Sequence, residues 1–241
     1  MKLRSIIAVS LSAALALTIF GMSGCASSAN SNVNSPSSSN ASTSTMTSRI
    51  PEATLTFSDD ELMSGKHHAV IYVEGYDPIE VELDADSAPI SVTNFVNLAN
   101  EDYYNGLTFY RVVDNFCLQG GTSGNSASGT DNELGTITGE FSSNGVNNPL
   151  ADNFERGTIA MARTQLPNSA TSTFFITLGS NDMVGTSLDG QYAAFGTVDA
   201  DGMETVDQIV SDTIGFVDDE YMGSISDESM QPVITRIEIL D

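Results

Sequence analysis

The 241-residue chain carries 32 Asp and Glu against 8 Lys and Arg, a formal charge of −24. A surface of that sign repels nucleic acid and anionic headgroups, so nucleic acid is not an expected partner. Two cysteines, Cys25 and Cys117, are too few for a disulfide framework, so a folded part must rely on its core.

The first 24 residues read as an export signal. Lys2 and Arg4 precede the apolar run IIAVSLSAALALTIF, which at about 15 residues is shorter than the ~20 a spanning helix needs. Met22-Ser23-Gly24-Cys25 resembles the lipobox of bacterial lipoproteins, with Met22 where leucine is more usual. The resemblance implies cleavage before Cys25 and a diacylglyceryl group on its sulfur. Two acyl chains hold a protein stably on a membrane where one binds only marginally. An extracytoplasmic, membrane-anchored protein is therefore expected; the alternative is an ordinary secreted protein in which Cys25 is incidental. Losing Lys2 and Arg4 but no acid takes the charge to −26. Residues 25–50, almost wholly Ser, Asn, Thr and Ala, cannot build a core. They predict a flexible tether with a span of roughly 25–30 Å.

The domain is expected over 51–241. HAVIYVE (68–74) and IEVEL (79–83), joined by Gly75-Tyr76-Asp77-Pro78, predict a β-hairpin. Pro89 followed by apolar Val92, Phe95, Val96 and Ala99 predicts a helix starting after Ser87 or Ala88. FYRVVDNFCLQGGT (109–122) reads as two strands about a turn, with Arg111 inside the first. Residues 120–145, rich in Gly, Ser and Asn, predict a long loop. Strands are expected at 157–162, 173–178, 193–198 and 232–240, and a second helix at 203–211. Mostly antiparallel strands separated by turns must close or stack to remove their edges.

Familiar catalytic constellations are missing. His67 and His68 adjoin at a strand start with no third ligand nearby and read as solvent-facing. GGTSGNSASGT lacks the lysine of a P-loop. Asp199-Ala-Asp201-Gly202 starts like a calcium loop but has Val210 where the bidentate glutamate belongs, so it reads as a turn before a helix.

Three ordered motifs remain. FYRVVDNFCLQGG resembles the F-H-R-V-I-x-x-F-M-x-Q-G-G signature of cyclophilin-type peptidyl-prolyl isomerases. GTIAMARTQLPNSATSTFFITL (157–178) and LDGQYAAFGTV (188–198) are similar to that family's next two motifs. The resemblance covers the chain from about His68 onward. It implies an eight-stranded closed antiparallel barrel capped by two helices, and isomerisation of X-Pro bonds in exported proteins without cofactor or metal. Partners would be X-Pro segments of unfolded chains, and a monomer is expected. It assigns catalysis to Arg111, Phe116 and Gln119, with Arg111 donating to the prolyl nitrogen. Cys117, Ala162, Arg163, Thr173, Phe175, Leu188 and Tyr192 are assigned to substrate binding. Cys117 stands at the usual methionine, Arg163 at a frequent asparagine, Ser187 at an occasional tryptophan, and Thr173 at a longer glutamine. The last departure keeps an alternative open, a proline-peptide-binding chaperone module with weak or no turnover.

Overall fold

The computed structural model describes residues 50–127, 129, 131–179, 182–218 and 222–241, all within one compact unit, Thr47–Asp241. The signal 1–24, Cys25 and nearly all of the tether lie outside the described residues.

The period-two pattern produces the expected hairpin. Strand β1 (Lys66–Val73) pairs antiparallel with β2 (Ile79–Asp84) across a turn in which Gly75 takes φ +82°. Ile71, Ile79, Val81 and Leu83 point inward and are buried, while Glu80 and Glu82 alternate outward. Helix α1 (Pro89–Asn100) starts at its proline, but no side chain at Ser87 or Ala88 caps it. Ser87 is engaged with Asp84. The cap is Glu140, whose carboxylate accepts from the amides of Ile90 and Ser91, each at 2.8 Å, and from Ser91 Oγ at 2.6 Å. Four orphan amides at a helix start explain why a distant acid is drawn there. Burial pushes the Glu140 carboxyl up, against the pull of those donors.

Phe95 of α1 lies 5.4 Å from Tyr104, 5.6 Å from Phe174 and 5.2 Å from Phe195, centroid to centroid. This aromatic cluster seats the helix on the sheet and fills the core beneath it. The remaining strands are β3 (Phe109–Val113), β4 (Cys117–Gly120), β5 (Thr158–Met161), β6 (Phe174–Thr177), β7 (Ala194–Val198), β8 (Val217–Asp218), β9 (Ser224–Ile225) and β10 (Ile234–Ile239). Helix α3 (Ala200–Thr213) replaces the expected 203–211 helix and starts earlier, because Asp199 accepts from the Gly202 amide at 2.7 Å as its N-cap. The acidic run at 199–201 is thus a helix start. Among the described residues of the long loop, the helical turns are 3₁₀ turns at Asn132–Leu134 and Ser142–Asn144.

Two expectations are corrected. The sheet has ten strands among the described residues, not eight, in the order β10-β1-β2-β7-β5-β6-β4-β3-β9-β8, and it is open rather than closed into a barrel. The two extra strands are the two-residue pair β8 and β9, which extends the sheet beyond β3. At the other end, β10 meets the start of β3 only at an isolated bridge, Thr108 with Val233. Three backbone hydrogen bonds stitch that seam: Gly106 N to Ile234 O at 2.8 Å, Ile234 N to Leu107 O at 2.7 Å and Phe109 N to Pro232 O at 2.9 Å. Pro232 has no N–H to return, and from there β3 turns to β9, pairing Arg111 with Ser224. The second correction is the helix count: a third α-helix, α2 (Asp182–Leu188), joins the two expected.

Candidate active site

The β3–β4 hairpin builds the site. Asn115 takes φ 56° in the turn, and the register sets Arg111 opposite Gln119 and Val113 opposite Cys117. Arg111, Cys117 and Gln119 share side-chain parity across the pair, so all three lie on one face. Arg111 Nη1 donates to Gln119 Oε1 at 2.8 Å and lies 3.2 Å from Cys117 Sγ, while Nε donates to the Met222 carbonyl at 2.8 Å. Nη2 has no partner among the described residues. Three contacts therefore hold the guanidinium in one pose while one nitrogen faces outward from the network.

The direction of this network is forced. A guanidinium only donates, so Gln119 must present its carbonyl oxygen to Arg111. Its Nε2 then donates to Tyr110 Oη at 2.6 Å. Tyr110 therefore accepts at that contact and keeps its own proton for another partner.

Arg111, Phe116, Cys117, Gln119, Ala162, Arg163, Phe175, Leu188 and Tyr192 line one cavity of about 160 Å³. Nine of the ten residues named from sequence and described here thus converge. Phe175 is buried, stacked on Phe154 at 6.3 Å and edge-on to Tyr192 at 5.6 Å. Leu188 closes the cavity from the end of α2. Burial pushes the Cys117 thiol up to about 11, against the pull of Arg111, so it stays neutral at physiological pH. The first cavity is thus a slot with aromatic and aliphatic walls at Phe116, Phe175, Leu188 and Tyr192, and the fixed Arg111 guanidinium among its lining.

Thr173 is the exception. It lines a second cavity of about 150 Å³ with Tyr110, Asp131, Asn132, Thr164, Ser169 and Thr171; Gln119, Ala162 and Arg163 line both. Arg163 is engaged by two rings and two carbonyls. Its guanidinium carbon lies 4.7 Å from the Tyr192 ring centroid and 5.1 Å from that of Phe141. Nε donates to Gln191 O and Nη1 to Thr164 O, each at 2.8 Å.

Sequence reading missed four contributors. Tyr110 stood beside Arg111 in the motif, and its hydroxyl was a signal. Asp131 is a buried acid in a loop. Phe141 had no signal beyond being apolar, and the Met222 carbonyl is main chain, which no side-chain pattern reports. The histidines lie away from the site, His68 against Asp241 and His67 near the Ser64 carbonyl.

Residues 68–237 match the family model described as cyclophilin type peptidyl-prolyl cis-trans isomerase/CLD. The chain is 42% identical over 134 residues to a peptidyl-prolyl cis-trans isomerase of Acinetobacter baylyi, covering 55% of this chain and 66% of that protein. It is 38% identical over 146 residues to peptidyl-prolyl cis-trans isomerase B of Escherichia coli, covering 58% and 82% respectively. Among solved structures, a cyclophilin type isomerase of Cryptosporidium parvum superposes with a TM-score of 0.59 at 23% identity, covering 73% of this chain and 99% of that one. The same protein crystallised in the presence of the dipeptide Ala-Pro superposes with a TM-score of 0.57 at 24% identity, covering 72% of this chain and 99% of that one.

Proposed function

The chain belongs to the cyclophilin-type peptidyl-prolyl cis-trans isomerase family, and from that premise we propose that the 160 Å³ cavity takes the proline ring while Arg111 drives rotation of the X-Pro bond. The enzyme is a peptidyl-prolyl cis-trans isomerase. Amide resonance resists rotation with a barrier of ~18–20 kcal/mol. As the bond twists, the prolyl nitrogen regains its lone pair and becomes a hydrogen-bond acceptor. A donor placed there interacts mainly with the transition state and so lowers the barrier rather than tightening ground-state binding. The observation that carries this reading is the pinned Arg111 guanidinium, with Nη2 unengaged among the described residues, on the wall of that slot.

Phe116, Phe175 and Leu188 hold the ring; Cys117, smaller than methionine, leaves the slot roomier. Gln119 fixes Arg111 and shares the wall, and Ala162 and Tyr192 complete the rim. A charged hydrogen bond contributes about 1.5–3 kcal/mol, and each 1.36 kcal/mol is tenfold. Arg111 thus supplies roughly ten- to a hundredfold, and apolar binding of the twisted bond supplies the rest.

The second reading, a proline-peptide-binding module with weak turnover, draws on Thr173, whose short side chain lines the neighbouring cavity rather than the slot. NMR exchange measurements on X-Pro peptides separate the two. The enzyme accelerates exchange and Arg111→Ala loses that acceleration while still binding peptide. Binding without acceleration by the wild type would establish the module instead.

The clients we assign are X-Pro segments of exported, unfolded proteins, where slow prolines limit folding. The enzyme acts as a monomer held at the membrane by lipid on Cys25. The signal-like run and the lipobox-like MSGC support that placement. Mass spectrometry of the mature N-terminus tests it: a diacylated Cys25 is expected, and an unmodified terminus elsewhere refutes it.

A further inference from the structure

The charge inventory singles out one side chain. Among the described residues five are Lys or Arg, and three of them sit on carboxylates. Lys66 lies 2.8 Å from Asp84 and 3.2 Å from Glu82, Arg156 lies 2.6 Å from Asp207, and Arg236 lies 3.1 Å from Glu238. Arg111 and Arg163 make no ion pair among the described residues, and both line the first cavity. In a chain with 32 acids this is no shortage of partners. Arg111 has its task at the prolyl nitrogen. Arg163 has none in that step, yet it stands where the two cavities meet.

A purely structural brace accounts for part of Arg163. Two backbone carbonyls take Nε and Nη1, and two aromatic rings take its faces. Rings and neutral carbonyls orient a guanidinium but leave its net charge uncompensated, and Nη2 has no partner among the described residues. The acid nearest in function is Asp131 on the second cavity. Its carboxylate is already occupied by the Ser123 amide, Ser123 Oγ and Ser172 Oγ. A pre-oriented cation without a counter-ion, beside the proline slot, is a subsite for an anion.

We propose that Arg163 selects substrates bearing a carboxylate side chain within two positions of the proline, which pairs with its guanidinium where the two cavities meet. This rests on the proline-slot reading above. The acidic surface opposes approach of such peptides at long range, but at physiological ionic strength that field is screened within about 8 Å. Arg163 acts at contact, so the preference belongs in bound-state affinity rather than encounter rate.

The test is NMR titration, at 0.15 M salt, of the folded domain with capped X-Pro peptides. Each carries one Glu or its Gln counterpart at one of the four positions flanking proline. At one of those positions the Glu peptide should bind roughly two- to fivefold more tightly than its Gln twin, the range of an exposed ion pair. Arg163→Gln should bring that ratio to one, Arg163→Lys should keep part of it, and added salt should shrink it in the wild type. Equal affinity for Glu and Gln at every position, or a ratio that survives Arg163→Gln, overturns the assignment while leaving the proline slot standing. If no X-Pro peptide binds, the slot reading itself falls and takes this one with it.

Discussion

The two cavities that meet at Ala162 and Arg163 hold nearly the same space, about 160 and 150 Å³, but they are made differently. Five of the nine residues lining the first stand on strands or at the end of α2, and three of these, Cys117, Phe175 and Leu188, are buried in the core. The second is walled mainly by loops, with Asp131, Thr164, Ser169 and Thr171 among its lining. Core packing shapes the first. Hydrogen bonds shape the second: Asp131 accepts from the Ser123 amide at 3.2 Å, from Ser123 Oγ, and from Ser172 Oγ at 2.6 Å. A slot that must fit the same ring in every substrate belongs on rigid elements. A subsite facing variable neighbours belongs on loops, where side chains change at little cost to the core.

Breaking the strand-built cavity should have the largest effect. Phe175→Ala removes a buried ring stacked on Phe154 and should cost about 3–5 kcal/mol in urea unfolding. A loss below about 1 kcal/mol would contradict the claim that core packing shapes this cavity. Next is Arg111→Ala, which should lower kcat/KM by about ten- to a hundredfold. Peptide affinity should change far less, since the lost contact belongs to the twisted state. Equal losses in both would mean that Arg111 binds the ground state.

The loop-built cavity should yield to smaller, pH-linked changes. Burial alone pushes the Asp131 carboxyl up, but the donors from Ser123 and Ser172 outweigh it and hold it below the usual range. A depressed folded value contributes stability that is full above the unfolded aspartate value, about 3.9, and is lost as pH falls through the folded one. Asp131→Asn should cost about 1–3 kcal/mol at neutral pH and remove that acid-side dependence. A variant whose stability still falls with the wild-type profile would place the titration elsewhere. The smallest effect comes from a wall residue of the second cavity: Tyr110→Phe strips the acceptor from Gln119 Nε2. It should lower kcat/KM by about two- to tenfold, equivalent to 0.5–1.5 kcal/mol. Unchanged kinetics would show that Gln119 keeps its place against Arg111 without Tyr110.

Much of this was readable from the chain. Alternation in HAVIYVE and IEVEL and the three motifs located the hairpins and nine members of one cavity, because strand parity and local turns are set by neighbours in sequence. Thr173 shows the limit. It lies one residue before Phe174 in β6, yet it lines the adjoining cavity, and only its place in the sheet shows which space it faces. Arg163 was assigned to substrate binding by resemblance, but the rings that hold it come from Phe141 and Tyr192, distant in sequence.

Sequence by itself determined what is local and compositional: the acidic balance, the strand pattern, and the residue types gathered at the site. Tertiary structure decided what depends on contacts between distant segments. It capped the first helix with Glu140, fifty residues beyond Ile90. It left the sheet open where Pro232 cannot return a hydrogen bond to β3. It also left Arg111 and Arg163 as the two described cations without a carboxylate, beside one cavity. Each outcome turns on which donors, acceptors and charges find partners after folding, and pairing across the fold leaves no trace in local order.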